Sequence, residues 1–94
     1  MSIFNEKKKK KSTQLKRSLD QSNYTYLNTS ALPENKIIRK KFNELFELYQ
    51  YGNTERNEIL GRIRGKDDVG YYSASFELII NAILIKLGFN IFNF

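Results

Sequence analysis

The stretch that most constrains this chain is its last third, Tyr71–Phe94, YYSASFELIINAILIKLGFNIFNF. Between Tyr71 and Leu87 only Ser73, Ser75, Glu77, Asn81 and Lys86 are clearly polar. A helix that is apolar nearly all round is expected to be buried. Gly88 then supplies a stop. Phe89–Phe94 (FNIFNF) has the aromatic and branched content of a strand. That strand opens without a partner strand in the sequence. The expectation is therefore the front piece of a larger domain.

Ninety-four residues allow one small domain. The chain has no Cys and no His. Disulfides and metal sites built from thiolate or imidazole are excluded, as is Cys- or His-based catalysis. The net charge of +6 is concentrated at one end, because residues 1–17 carry Lys7–Lys11, Lys16 and Arg17 against the single acid Glu6. The remainder is neutral, so the expected folded part is not a basic protein but one that carries a basic tail. No apolar core of a secretory signal follows the lysines. The apolar run Leu78–Ile85 is interrupted by Asn81 and is far short of the roughly 20 residues of a membrane span. The expectations are no membrane contact and a cytoplasmic location.

Residues 1–23 read as a polar, basic leader with too few apolar residues to anchor itself, hence disordered or a frayed helix. Residues 24–94 read as a helical region of an incomplete domain. Within it, Tyr24–Leu32 is expected to be an extended connector held by Tyr24, Tyr26 and Leu27. The first helix is expected near Pro33, where a missing N–H costs nothing, with Glu34 favourable against the dipole. Ile38, Phe42, Leu45 and Tyr49 form its apolar stripe, widened by Phe46 and Leu48, and it stops near Tyr51-Gly52. A second helix, capped by Asn53 or Thr54, turns Ile59, Leu60 and Ile63 inward and ends at Gly65. The third is capped by Asp67 or Asp68 and runs to Leu87. The fold class is thus mostly α: three helices and a C-terminal strand stub.

On the third helix Ser73, Glu77 and Asn81 fall within a sector of about 80°. Two readings stand for Glu77. It belongs to a solvent stripe, or it is a buried carboxylate retained for metal or acid–base work. Lys7–Lys11 would contact phosphate through counterion release, or act as a solvated tail. Arg62, Arg64 and Lys66 would face a phosphate backbone, or offset Asp67, Asp68 and Glu58.

The order YLNTSALPENKIIRKKFNELFELY, GRIRGKDD and YYSASFELIINAILIKLGFNI resembles the N-terminal region of a family of uncharacterised bacterial proteins. The matching positions are Leu27-Asn28, Ser30, Pro33, Ile38-Arg39, Arg62, Arg64, Asp67-Asp68, Phe76-Glu77-Leu78, Leu84 and Leu87-Gly88-Phe89, across residues 24–94. The resemblance implies the start of a restriction-endonuclease-like core of the PD-(D/E)XK type. There the helix glutamate joins a Pro-Asp strand and a Glu-x-Lys element to hold Mg²⁺ for phosphodiester hydrolysis. Only Glu77 has a counterpart in this chain, and Ile79-Ile80-Asn81 departs from a more polar pattern.

The resemblance therefore implies a truncated or split endonuclease-like fragment, itself inactive, with Glu77 a remnant and Mg²⁺ relevant only on completion by a missing segment. One alternative is a small helical interaction or oligomerisation protein, pairing with itself or a second polypeptide through Phe89–Phe94. The other is a nucleic-acid-binding accessory acting through Lys7, Lys8, Lys9, Lys10 and Lys11, with Arg62 and Arg64.

Overall fold

The structure is a computed structural model that describes residues 2–49 and 51–88. It is mostly helical, with four helices: α1 Asn23–Thr29, α2 Pro33–Glu47, α3 Asn53–Arg64 and α4 Asp68–Lys86. The expected strand Phe89–Phe94 lies outside the described residues.

The helix absent from the expected set is α1. Its segment was expected to be extended, yet it coils for two turns. A helix this short is unstable alone, and contacts along its length hold it. The Ser22 side chain accepts from Thr25 N at its start. Leu27 is buried, and the Tyr24 ring stacks on Phe4 at 5.2 Å. The Arg39 guanidinium donates to Leu27 O and Ser30 O at 2.7 and 2.8 Å, satisfying carbonyls at its end.

Helix α2 starts at Pro33 as expected, with Glu34 in its first turn. Its inward face differs from the expected stripe. Phe46 and Tyr49 are buried and Phe42 and Leu45 partly so, but Ile38 and Leu48 are exposed. The buried row continues toward the N-terminus through Asn35 and Arg39 instead. Residues 35, 39, 42, 46 and 49 follow the helical period, so two polar side chains occupy positions that hydropathy alone would give to Ile38.

Helix α3 buries Ile59, Leu60 and Ile63 and ends at Gly65, both as expected. Its N-cap is Gly52, without a side-chain cap from Asn53 or Thr54. The carbonyls at the end of α2 receive side chains from the next two helices. Arg56 donates to Tyr49 O and Phe46 O at 2.6 and 3.0 Å, and its guanidinium lies 4.5 Å from the centre of the Phe46 ring. Asn81 Nδ2 donates to Leu48 O at 3.1 Å.

Helix α4 packs most extensively on α3. The two helices approach closely at Gly70, where a Cβ would lie 3.4 Å from Arg62 O, within ordinary van der Waals contact. Asp67 caps α4 by accepting from Val69 N at 2.9 Å. Leu87 ends the helix and Gly88 takes the left-handed φ of 87° that reverses a chain leaving it. The inward side of α4 carries Tyr71, Ala74, Ser75, Leu78, Asn81 and Ala82. The expectation of a helix buried all round is corrected here. Val69, Tyr72, Phe76, Ile79, Ile80, Ile83 and Leu87 are exposed, and of these Ile79 and Ile83 border a shallow cleft shared with Lys41 and Leu45 of α2.

The leader also departs from expectation at its start. Ile3 and Phe4 are fully buried in the core cluster. Asn43 Oδ1 accepts from Ile3 N and Phe4 N at 2.9 and 3.0 Å, while its Nδ2 donates to Phe4 O at 3.1 Å. Two apolar residues suffice because their backbone groups are hydrogen-bonded by side chains, Ile3 N, Phe4 N and Phe4 O by Asn43 and Ile3 O by Arg64.

Candidate functional site

The sequence-derived candidates fall into three places. Glu77 sits mid-helix on α4, with its side chain about half exposed (49%). Its Oε2 accepts from Arg62 Nη2 at 2.8 Å. Arg62 also receives Glu58, with Nη2 donating to Oε1 at 2.8 Å, and its Nη1 donates to Ser73 Oγ at 3.1 Å. The Arg62 Nε lies 2.6 Å from Glu58 Oε2, a charge contact without a well-aimed N–H. Hydrogen bonding to Glu77 holds the guanidinium pKa above its usual value; burial opposes this, and the hydrogen bond to Glu58 and the charges of both carboxylates add to the rise.

This arrangement ties α3 to α4. It places a guanidinium between two carboxylates, where a divalent cation would need several converging oxygen ligands. The donors as arranged do not fit Mg²⁺. Among the described residues no group of three or more acidic side chains gathers as a metal site would. Of the two readings of the Ser73–Glu77–Asn81 sector, the solvent stripe describes Ser73 and Glu77, which are exposed. Asn81 is buried and faces the end of α2; its Oδ1 has no hydrogen-bond partner among the described residues.

Arg64 belongs to a second place. Its Nη2 donates to Ser2 O at 2.8 Å and to Ile3 O at 3.1 Å, and its guanidinium lies 5.9 Å from the Tyr24 ring centre. Of the two readings of Arg62 and Arg64, facing phosphate or offsetting nearby acids, the pairing of Arg62 with Glu58 fits the second, and both arginines hold helices and leader together. Neither is brought to the lysine run.

The third place is that run. Lys7, Lys8, Lys9, Lys10 and Lys11 are not left hanging from an end. On one side the chain is fixed by Ile3, Phe4 and the ion pair of Glu6 with the buried Arg39. On the other it forms a parallel bridge between Ser12 and Ser30. Ser12 N donates to Thr29 O at 3.0 Å, and Ala31 N donates to Ser12 O at 2.7 Å. Beyond it, Tyr26 Oη donates to Gln14 O at 3.1 Å.

Between these fixings Lys8–Lys11 line an open cleft with Ser12, Asn28 and Thr29, about 560 Å³ in volume. A smaller cleft on the other side is lined by Glu6, Lys7–Lys10, Ala31, Lys36 and Arg39. Lys10 belongs to both and donates to Asn28 Oδ1 at 3.1 Å. Partial burial lowers the Lys10 pKa, and the charges of Arg39 and Lys8 add to that; Glu6 opposes it.

Arg39, Asn28 and Lys36 are the site residues that sequence reasoning missed. Arg39 lay inside the motif Ile38-Arg39, and its neighbour Ile38 drew the core assignment. Asn28 stood in the matched pair Leu27-Asn28 with no binding role attached to it, and Lys36 carried no signal beyond its place in the first turns of α2. No helix among the described residues is long and apolar enough to cross a membrane. The chain matches no protein-family model, no curated protein and no solved structure.

Proposed function

We infer that this chain is an incomplete helical piece of a larger α/β domain of the restriction-endonuclease-like kind, with no catalysis of its own. The observation that carries this reading is the outer side of α4. Scattered exposed apolar residues need no explanation. Here Val69 is 74% exposed, Phe76 63% and Leu87 68%, with Tyr72, Ile79, Ile80 and Ile83 between them on one helix. A continuous apolar side of that kind marks a surface meant to be covered. In layered α/β domains the cover of such a helix is a sheet. Glu77 beside Arg62 would then be the one inherited site residue, and the acidic partners that a metal needs would come from the covering segment.

The experiment is to read the DNA after codon 94 in all three frames. A continuation encoding a Pro-Asp strand and a Glu-x-Lys or Glu-x-Gln element supports the reading. Sequence without those elements in any frame overturns it.

A second reading, a small self-pairing helical protein, is favoured by one specific observation. Val69, Tyr72, Phe76, Ile79 and Ile83 recur at spacings of three and four, the a/d pattern of a coiled-coil seam. That seam would serve for pairing in place of Phe89–Phe94. A discrete dimer mass in sedimentation, abolished by Phe76→Lys, supports this reading. A monomer at all concentrations overturns it.

A further inference from the structure

We propose that the cleft beside Lys8, Lys9 and Lys10 is a preorganised binding site for the phosphodiester backbone of single-stranded nucleic acid. The inference is independent of the endonuclease-like reading, since it uses no residue of α4.

The argument begins with how the lysines are held. A free lysine tail pays the full entropy of ordering when it binds. Here the run is stretched between Glu6, paired with Arg39, and Ser12, bridged to Thr29 and Ala31. At most about 20 Å of extended chain separates those two fixings. Much of the backbone ordering is complete before a ligand arrives.

Charge comes next. Glu6 is the one acid lining either cleft, and it is committed to Arg39. Lys8, Lys9, Lys10 and Lys36 are left facing the same space. Lys10 is itself steered toward the cleft by Asn28. The Ser12 hydroxyl and the Asn28 amide supply polar groups of the kind that contact phosphate oxygens without reading sequence.

The shape and lining select among polyanions. The clefts are concave, and no large apolar side chain lines either one. A bilayer surface is flat and is bound by lysines together with inserted apolar side chains. Leu15 and Leu19 are exposed, but they lie past the Ser12 bridge and outside the clefts. A single strand can enter a groove and present successive phosphates to successive lysines. The clefts hold no aromatic ring, so binding would be electrostatic and indifferent to base.

The test uses the full chain and a fluorescein-labelled oligothymidylate of about 20 nucleotides, longer than a single-domain site. Anisotropy is read between about 50 and about 200 mM salt. With three to five phosphates neutralised, affinity should fall about 20- to 100-fold across that range. The triple substitution Lys8→Ala, Lys9→Ala, Lys10→Ala should flatten the logarithmic salt slope by about two.

Two variants keep every charge and separate a built cleft from a loose tail. Ser12→Pro removes the N–H that Thr29 O accepts, and Asn28→Ala releases Lys10. Each should weaken binding about 2- to 10-fold with the salt slope unchanged. Helical circular dichroism of each variant confirms that the fold persists. Parent-like affinity in both variants would overturn the preorganised site, leaving a flexible polycation. Parent-like affinity in the triple alanine variant would overturn the lysines as the contact. Binding to vesicles of phosphatidylserine and phosphatidylcholine, with none to the oligonucleotide, would overturn the choice of ligand.

Discussion

The corner around Arg39 and the outer side of α4 invert the usual rule in opposite directions. At the corner, a guanidinium is 2% exposed, and Ser30 and Asn35 are buried beside it. On α4, Phe76 is 63% exposed and stands among other uncovered apolar side chains. The difference is one of partners. Arg39 has Glu6 on one side and the carbonyls of Leu27 and Ser30 on the other, so its donors are met. Asn35 Nδ2 likewise donates to Tyr26 Oη and Ser30 Oγ at 3.2 and 3.0 Å. A buried polar group is tolerated when its hydrogen bonds are complete. The apolar side of α4 is met only at its edge, where Lys41 and Leu45 of α2 border Ile79 and Ile83, and its large side chains stay exposed. Burial in this chain therefore follows the supply of partners, not hydropathy alone.

The comparison breaks most sharply on α4 itself. Leu78 is fully buried and Phe76 is mostly exposed, two residues apart. Leu78→Ala should cost about 2–5 kcal/mol in urea unfolding, since it removes core contacts and leaves a cavity. Phe76→Ala should stay within about 0.5 kcal/mol of the parent, as surface changes do. Similar losses for the two would mean that the outer side is internal to this fold.

Arg39→Met tests the corner. It strands Glu6 and leaves the Leu27 and Ser30 carbonyls without their donor. Breaking a fully buried pair costs about 3–5 kcal/mol. Glu6 is about a third exposed (34%), so a loss of about 2–3 kcal/mol is expected. Unchanged stability would show that the polar network is not what holds α1 and the leader.

Alkaline pH sharpens the comparison for a polar group inside the core. Burial pushes the Tyr71 hydroxyl up to about 12, with smaller contributions from Tyr72 and Asp68. The unfolded phenol ionises near 10 while the folded one keeps its proton. The native state therefore binds more protons between those values. The contribution is fully present below about pH 10 and is lost as pH rises toward 12. Stability should fall by about 1–2 kcal/mol over that window. Tyr71→Phe should remove this part of the slope. A slope identical in parent and variant would contradict the assignment.

The smallest effect belongs to an ion pair of the other kind. Glu77 and Arg62 are 49% and 26% exposed, and exposed pairs contribute about 0–1 kcal/mol. Glu77→Gln should change stability by less than about 1 kcal/mol, well below the Arg39 effect. A loss as large as that of Arg39→Met would mean that charge burial does not distinguish the two pairs.

Much of the helical framework was legible in the sequence because its punctuation is local. Pro33, Asp67, Gly65 and Gly88 mark helix ends by backbone chemistry that needs no tertiary information. Ile59, Leu60 and Ile63 were legible as core from spacing. Helix α1 was missed because its stability comes from Arg39 and Phe4, distant in the chain, although Ser22 with Thr25 three residues on offered a capping signal. Ile38 was misplaced because hydropathy cannot foresee an arginine whose donors are all met. Of the candidate site residues, the lysines were visible as charge. Their fixing was not, since it depends on Glu6 and Ser12 meeting residues from other elements. The pairing of Arg62 with Glu58 was legible at helical spacing, but its bond to Glu77 and that of Arg64 to Ser2 were not, because those partners lie far along the chain.

The central claim is that α4 has a packed side and an apolar side that the described fold leaves largely uncovered. The most direct measurement is urea unfolding of the Phe76→Lys/Ile83→Lys variant beside the parent, with apolar-dye fluorescence read on the same samples. The account predicts an unfolding free energy within about 1 kcal/mol of the parent, unchanged helical circular dichroism and a clear drop in dye binding. Loss of the cooperative transition, or destabilisation of several kcal/mol, would contradict it by showing that this chain buries that side itself.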